Sequence, residues 1–175
     1  MSIIVGFDVS STTIGWGCLK VDKNDFSYVD SGYFKPPKKG DLFQRLAKTK
    51  ASIQKLLKQL KPNHIGIEEI VQFMPNKTKA STIITLAVYN RMVGLVAHDY
   101  IGNSPQLCNV LAIRHALKLS KDLPSKEEIP ELVAQHLNIS FPYEYKKKSK
   151  EIKTESFDRA DGLAVAIYCA KFLIK

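Results

Sequence analysis

Four acidic residues stand where acids are costly. Asp8 interrupts the apolar run "IVGFDV", and Glu68 follows the apolar "HIGI". Asp158 and Asp161 open the apolar segment "DRADGLAVAIY". A spacing of i, i+3 puts the last two on one helical face, one turn apart. Carboxylates buried together repel one another unless a cation compensates. Mg²⁺ prefers oxygen donors of this kind. Two such ions about 4 Å apart can activate a water and stabilise the leaving oxygen of a phosphodiester. The chemistry in question is therefore metal-dependent phosphodiester cleavage. Two other readings of Asp8 stay open at this point. Ser10, Ser11, Thr12 and Thr13 follow it and could cradle nucleotide phosphates, or Asp8 could simply end a strand. Glu69 is a further ambiguity, because neighbours in a strand point to opposite sides. Acids near a helix start also suit the macrodipole.

The elements that must position these acids follow from pattern. Ile3–Val9, Ile14–Val21 and Phe26–Phe34 read as three consecutive strands forming an antiparallel meander, with "DKND" a hairpin link. From Asp41, a possible N-cap, Leu42, Leu46, Ile53, Leu57 and Leu60 fall on one helical face, and Pro62 stops that helix. His64–Ile70 reads as a short strand. "NKTKASTIITLAVYNRMVGLVAHDYIG" is a long helix ending near Gly102, and "SPQLCNV" a short, buried fifth strand. "LAIRHALKLS" is helical. In "LPSKEEIPELVAQHL", Ser125 and Glu128 have capping-box spacing. "SFPYEYKKKSKEIKTES" is a lysine-rich connection, and the last helix runs Phe157–Ile174. The order predicts an α/β fold, a five-stranded mixed sheet flanked by helices, as a single domain over residues 1–175.

Composition bounds the partners. The chain has 175 residues, with Lys and Arg numbering 26 against 17 Asp and Glu, a net charge of +9. That excess favours a polyanion, nucleic acid first. Cys18, Cys108 and Cys169 are far apart in sequence and lie in apolar segments, so they read as reduced, buried thiols of a cytosolic protein. No uninterrupted run of about 18 apolar residues is present, and no membrane span is expected. The N-terminus lacks signal-peptide character. The four histidines show no ligand spacing, and Trp16 reads as packing.

At this point the chain resembles a known family. "IVGFDVSSTTIGWG" looks like the first motif of the RuvC-type Holliday-junction resolvases, within the RNase H-like superfamily. "IGIEEIVQF" is similar to their second motif and "DRADGLAVAIY" to their C-terminal Asp-x-x-Asp motif. The long helix after residue 76 and the lysine-led "SKEEIPELVAQHL" also match, so the resemblance runs over nearly the whole chain. Its compactness and divergence resemble the phage-encoded branch.

The resemblance implies an RNase H-like fold and a Mg²⁺-dependent homodimer, with Mn²⁺ as a substitute, acting in the cytoplasm of a bacterial or phage-infected cell. Its substrate would be a four-way junction or other branched DNA, nicked on two opposing strands. Asp8, Glu68, Asp158 and Asp161 occupy the metal-binding and catalytic positions. Asp8 would bridge two ions, Glu68 and Asp161 would hold one each, and Asp158 would support the second. Lys126 and Arg114 match basic positions. Lys118, Lys77, Lys79, Lys146, Lys147 and Lys148 are further candidates for the DNA backbone. Two features depart from the family. Val71 stands where an aromatic wedge is usual, with Phe73 two residues on. The segment before the last helix is also longer and more basic, which suits either added phosphate contacts or a solvated loop.

Three alternatives remain. The opening motif is also similar to the phosphate loop of sugar kinases and actin-like ATPases, but those need a second such domain and a glycine-rich adenosine motif. A non-catalytic junction-binding protein would have little use for clustered carboxylates. A nuclease of this fold acting on flaps, forks or RNA–DNA hybrids fits the acids equally well.

Overall fold

The computed structural model describes residues 1–23, 25–70 and 79–173. The elements run β1 (Ser2–Val9), β2 (Ile14–Asp22), β3 (Asp25–Phe34), α1 (Leu42–Leu60), β4 (His64–Glu68), α2 (Ala80–Ile101), β5 (Gln106–Cys108), α3 (Val110–Leu117), a 3₁₀ turn (Lys126–Glu128), α4 (Ile129–Leu137) and α5 (Thr154–Leu173). They build one five-stranded sheet in the order β3-β2-β1-β4-β5. β1, β2 and β3 pair antiparallel, as the short links require, while β4 and β5 join in parallel. The expected meander and mixed sheet are both present.

Alternation along each strand sorts side chains onto two cores. Val5, Phe7 and Val9 of β1 face α1 and α2, with Ile14, Trp16, Ile65, Ile67, Tyr89 and Val93. Ile4 faces α3, α4 and α5, with Leu19, Cys108, Ile113, Leu117, Val133 and Leu163. By period two, Gly6 and Asp8 share the side of Ile4. Asp8 is therefore the next position of the α5 face, carrying a carboxylate where an apolar residue would continue the core.

α5 lies on bare backbone. A Cβ on Gly15 would sit 1.8 Å from the Asp158 carbonyl oxygen, and one on Gly17 2.5 Å from Leu163 Cα. A Cβ on Gly6 would reach within 2.4 Å of Ala166 N and Gly162 O, and one on Gly66 within 2.4 Å of Cys169 Sγ. From the helix side, a Cβ on Gly162 would meet Trp16 Cα at 2.6 Å. Only hydrogen at these positions lets α5 approach β1, β2 and β4 so closely.

Local signals mostly hold. Asp41 Oδ1 accepts from Gln44 N at 2.9 Å, capping α1. α1 ends on Lys61 in a left-handed conformation (φ 51°), just ahead of Pro62. Ser125 and Glu128 form their capping box, with Ser125 N donating to Glu128 Oε2 at 2.7 Å.

Three expectations need correction. α5 begins at Thr154, not Phe157, so Asp158 and Asp161 lie beyond its first turn, whose acid is Glu155. The macrodipole therefore does not account for the pair. β4 ends at Glu68 rather than Ile70. β5 is an edge strand in which only Cys108 is buried, with Leu107 exposed. Within the lysine-rich connection, Tyr145 and Ile152 form an antiparallel bridge. α2 also bears on the membrane expectation. With polar residues tolerated inside the window, it is long and apolar enough to cross a membrane by length and composition. It packs Tyr89, Asn90, Val93, Val96 and Ala97 inward against the protein.

The glycine seat makes a testable contrast. Gly15→Ala is expected to lower stability to urea by about 1–3 kcal/mol or more, the cost of overpacking against unyielding backbone. Gly94→Ala in α2, whose Cβ would find nothing nearer than Ile67 Cδ1 at 3.9 Å, is expected to raise it by about 0.5–1 kcal/mol through helix propensity alone.

Candidate active site

The site forms where β1 and β4 end side by side. Their parallel register pairs Phe7 with Ile67, so Asp8 and Glu68 follow at adjacent positions on the α5 face. α5 crosses this edge and brings Asp158 and Asp161. Carboxylate oxygens of Asp8, Asp158 and Asp161 all lie within 4.8 Å of one another. Glu68 stands outside this tight trio but lines the same cleft, about 100 Å³, with Asp8, Asp161, Arg114, Lys126 and apolar Val110, Ile113, Ile129 and Ala164. Glu69 has left the strand, its N–H donating to Cys108 O at 2.9 Å.

The cations arrive on separately built supports. Lys126 opens the capped 3₁₀ turn, and its Nζ sits 3.2 Å from Asp161 Oδ2. Arg114 rides on α3, whose N-terminus is capped by Asn109 Oδ1 accepting from Leu111 N (2.9 Å) and Ala112 N (3.3 Å). The C-terminal carbonyls of α3 are held in turn, with Leu117 O against His136 Nε2 at 2.9 Å and Ala116 O receiving Lys171 Nζ.

The electrostatics follow from burial and crowding. Burial raises the Asp8 carboxyl well above its usual range, and the charges of Glu68, Asp161 and Asp158 add to this; Lys126 opposes it. Burial and Asp161 push Glu68 up to about 7, against Lys126 and Arg114. Asp161 and Asp158 are also raised, burial leading, with Lys126 pulling both down. Burial lowers Lys126, but Asp161, Asp8 and Asp158 outweigh it and its net shift is upward. The amino-acid cations present do not neutralise the four acids. A closely spaced set of hard oxygen donors under mutual repulsion fits a hard divalent cation.

Other expected residues fall into place unevenly. Lys118 is not among the residues lining the cleft, and its Nζ lies 3.5 Å from Lys121 O. Lys79 is exposed just before α2. Lys146 pairs with Glu151 at 2.8 Å, while Lys147 and Lys148 are exposed in the adjoining turn. Phe73 and Lys77 lie outside the described residues, as does Val71.

Two contributors escaped the sequence reading. Buried Asn90 donates through Nδ2 to Glu68 O at 2.9 Å, tying α2 to the end of β4. Its signal was present, a lone amide in the apolar "LAVYNRMV". Thr13 hydrogen-bonds the Asp158 carboxylate and lowers its pKa against burial. The turn that holds Thr13 is closed by Ser10, whose Oγ accepts from Thr13 N at 2.9 Å and donates to Thr13 O at 2.7 Å.

Residues 4–169 match the family of the crossover junction endodeoxyribonuclease RuvC. The chain belongs to the RuvC family. It is similar to RuvC of Orientia tsutsugamushi (strain Boryong), 25% identical over 164 residues that cover 94% of this chain and 92% of the relative. RuvC of Neisseria meningitidis serogroup C is 28% identical over 165 residues, covering 94% of this chain and 82% of that protein. The fold matches that of Thermus thermophilus RuvC, solved in complex with Holliday junction substrate, with a TM-score of 0.73 at 19% identity over 99% of this chain and 95% of that one. The expected RNase H-like architecture, a mixed five-stranded sheet flanked by helices, is the one observed.

Glu68 holds its proton more tightly folded than unfolded, so its contribution to stability is full below about pH 4.5 and lost by about pH 7. Metal-free protein is therefore expected to melt lower at pH 8 than at pH 5.5, and added Mg²⁺ at pH 8 to restore the difference. Asp8→Asn is expected to raise the metal-free melting temperature at pH 8, by about 2–4 °C per kcal/mol of repulsion relieved, and to blunt the response to Mg²⁺. For Asn90→Leu, losing the Glu68 tether is expected to cost about 1–3 kcal/mol in chemical denaturation. Activity should fall by about tenfold or more with the chain still folded.

Proposed function

We propose that this RuvC-family chain is a divalent-metal-dependent endodeoxyribonuclease that resolves four-way DNA junctions, acting as a homodimer through the single RNase H-like domain formed by residues 1–175. The observation that carries this reading is the convergence of Asp8, Asp158 and Asp161 within 4.8 Å, beside Glu68 and two cations at the ends of the inner strands β1 and β4. A surface that only bound DNA would gain nothing from carboxylates turned towards phosphate.

Asp8, Asp158 and Asp161 would hold Mg²⁺ or Mn²⁺, with Glu68 completing the acid set from the cleft wall. When bound, the metal supplies Lewis-acid activation of water and stabilises charge on the leaving oxygen. The remaining work belongs to the chain. Lys126 neutralises Asp161 and, with Arg114, draws the scissile phosphate over the acids. Asn90 fixes the backbone at Glu68, and the Ser10–Thr13 turn fixes Thr13 against Asp158. Backbone contacts of this kind position DNA without reading its sequence and weaken with salt.

A twofold dimer suits the near-twofold symmetry of an open junction, with one site per opposing strand. Support comes from α2, where Ile84 and Leu95 lie about three turns apart on one side of the helix and are exposed. Its place of action is where such DNA is found, the cytoplasm of a bacterial or phage-infected cell.

A panel of four-way, three-way, flap, duplex and RNA–DNA substrates tests the reading. Preferred paired nicking of the four-way junction with Mg²⁺, abolished by EDTA, is the expected result. Asp8→Asn and Asp161→Asn should each lower the rate by about two orders of magnitude or more, as expected for losing several kcal/mol of metal-assisted stabilisation. Wild-type cutting by Asp8→Asn would overturn the metal site. Equal cutting of four-way junction and linear duplex would overturn the choice of substrate.

A further inference from the structure

The lysine-rich segment before α5 is a built hairpin. Tyr145 and Ile152 bridge, Lys153 N donates to Glu144 O at 2.8 Å, Lys146 N to Glu151 O at 2.8 Å, and Lys150 N to Lys146 O at 3.1 Å. The loop closes with Lys150 left-handed, φ 54°, a conformation a side-chain-bearing residue adopts only at a cost. A merely solvated linker requires none of this.

The base of the hairpin is fastened by one carboxylate. Glu144 Oε2 accepts from Lys153 Nζ at 2.8 Å and from the Tyr33 hydroxyl at 3.1 Å, and Glu144 Oε1 accepts from Arg159 Nη2 at 3.2 Å. Arg159 Nη1 donates to Pro142 O at 2.8 Å, and Glu144 N donates to Ser156 Oγ at 3.0 Å. The hydrogen bond from Lys153 leads in holding Glu144 below the usual carboxylate range, so it stays ionised. β3, α5 and the hairpin thus meet at Glu144. Arg159 directly follows Asp158, which ties this hub to the helix carrying the site.

The charge is sorted along the hairpin. Lys153 and Lys146 are matched by Glu144 and Glu151. Lys147, Lys148 and Lys150, at the far end, have no carboxylate partner among the described residues and are exposed. Three like charges crowded on a loop held in one shape complement a polyanion.

We propose that residues 144–153 form a rigid basic finger that grips the phosphate backbone of a junction arm beside the active site, with Glu144 as its positioning residue. The proposal rests on the junction-resolving reading above and adds a contact surface to it. Residues 144–146 and 151–153 pair across the hairpin and carry the tip roughly 10 Å from its base, a reach of about three nucleotide steps along one strand. Lys147, Lys148 and Lys150 are not among the residues lining the acidic cleft, so the finger holds DNA flanking the cut rather than the scissile phosphate.

The test measures binding of a synthetic four-way junction in EDTA as a function of salt, with wild-type protein and the variant Lys147→Ala/Lys148→Ala/Lys150→Asn. Replacing three phosphate contacts should flatten the slope of log affinity against log salt by about 2–3 units and weaken binding by about tenfold or more at low salt. Glu144→Gln should flatten the slope partially in the wild-type background and change nothing further in the triple variant. An unchanged slope in a triple variant that melts like wild type overturns the finger. A Glu144→Gln effect that persists in the triple variant overturns the positioning role. The failures are distinguishable: a protein that resolves junctions with an unchanged slope loses only the finger. One that prefers no junction, yet whose duplex affinity drops in the triple variant, keeps the finger and loses the junction reading.

Discussion

The contact between α5 and the bare backbone of β1, β2 and β4 governs the rest of the molecule. Two of the three clustered carboxylates ride on α5 and the third lies on β1, so their separation is set by the distance between helix and sheet. Glycine at residues 6, 15, 17, 66 and 162 sets that distance, since any Cβ there would fall 1.8 to 2.6 Å from its nearest neighbour. An ordinary helix–sheet layer would hold the acids further apart. The glycines contribute no side-chain burial and raise the entropy lost on folding. Apolar residues of α5 such as Leu163, Val165 and Ile167, fully buried, offset that loss. The most apolar part of the helix secures the position of its most polar turn.

Crowding is the consequence. Burial raises the pKa of all four acids; Glu68, Asp161 and Asp158 add to the shift at Asp8, Asp161 to that at Glu68, and Asp158 to that at Asp161. The fold therefore holds a local arrangement that opposes its own stability at neutral pH and is relieved by cations. Lys126 supplies part of that relief at 3.2 Å from Asp161. It does so from a capped turn outside the sheet rather than from a neighbouring strand, so the lysine can follow either a carboxylate or a phosphate without disturbing the core. Stability and chemistry draw on the same charges in opposite senses, which is common where groups must be tuned for reaction.

The strands, the meander, the mixed sheet and the costly acids were legible because each has a signature within a few residues. An acid breaking the period of a buried strand is visible, as at Asp8, and so is an i, i+3 pair ahead of an apolar helix. What stayed illegible depended on contacts distant in sequence. Nothing local says that Gly15 faces Asp158, or that Asn90 reaches the carbonyl of Glu68. The start of α5 was misplaced by three residues because "TES" reads as a polar link until Ser156 is seen bonded to Glu144. The lysine-rich segment stayed open between phosphate contacts and a solvated loop for the same reason, since its anchors are Tyr33 on β3 and Arg159 on α5.

The turn after β1 separates the two chemistries that share this opening motif. A loop that cradles phosphate must leave backbone N–H groups aimed at the ligand. Here the N–H groups of Ser10, Thr12 and Thr13 are consumed inside the turn, by Thr13 O and by Ser10 Oγ. The Ser10 hydroxyl is committed as well, donating to Thr13 O. The run of Ser and Thr therefore makes a closed turn rather than an open nest, and its outward product is Thr13 beside Asp158. The hydroxyl residues that first suggested nucleotide binding act instead on the carboxylate cluster, reducing the cost of an ionised Asp158 next to Asp8 and Asp161.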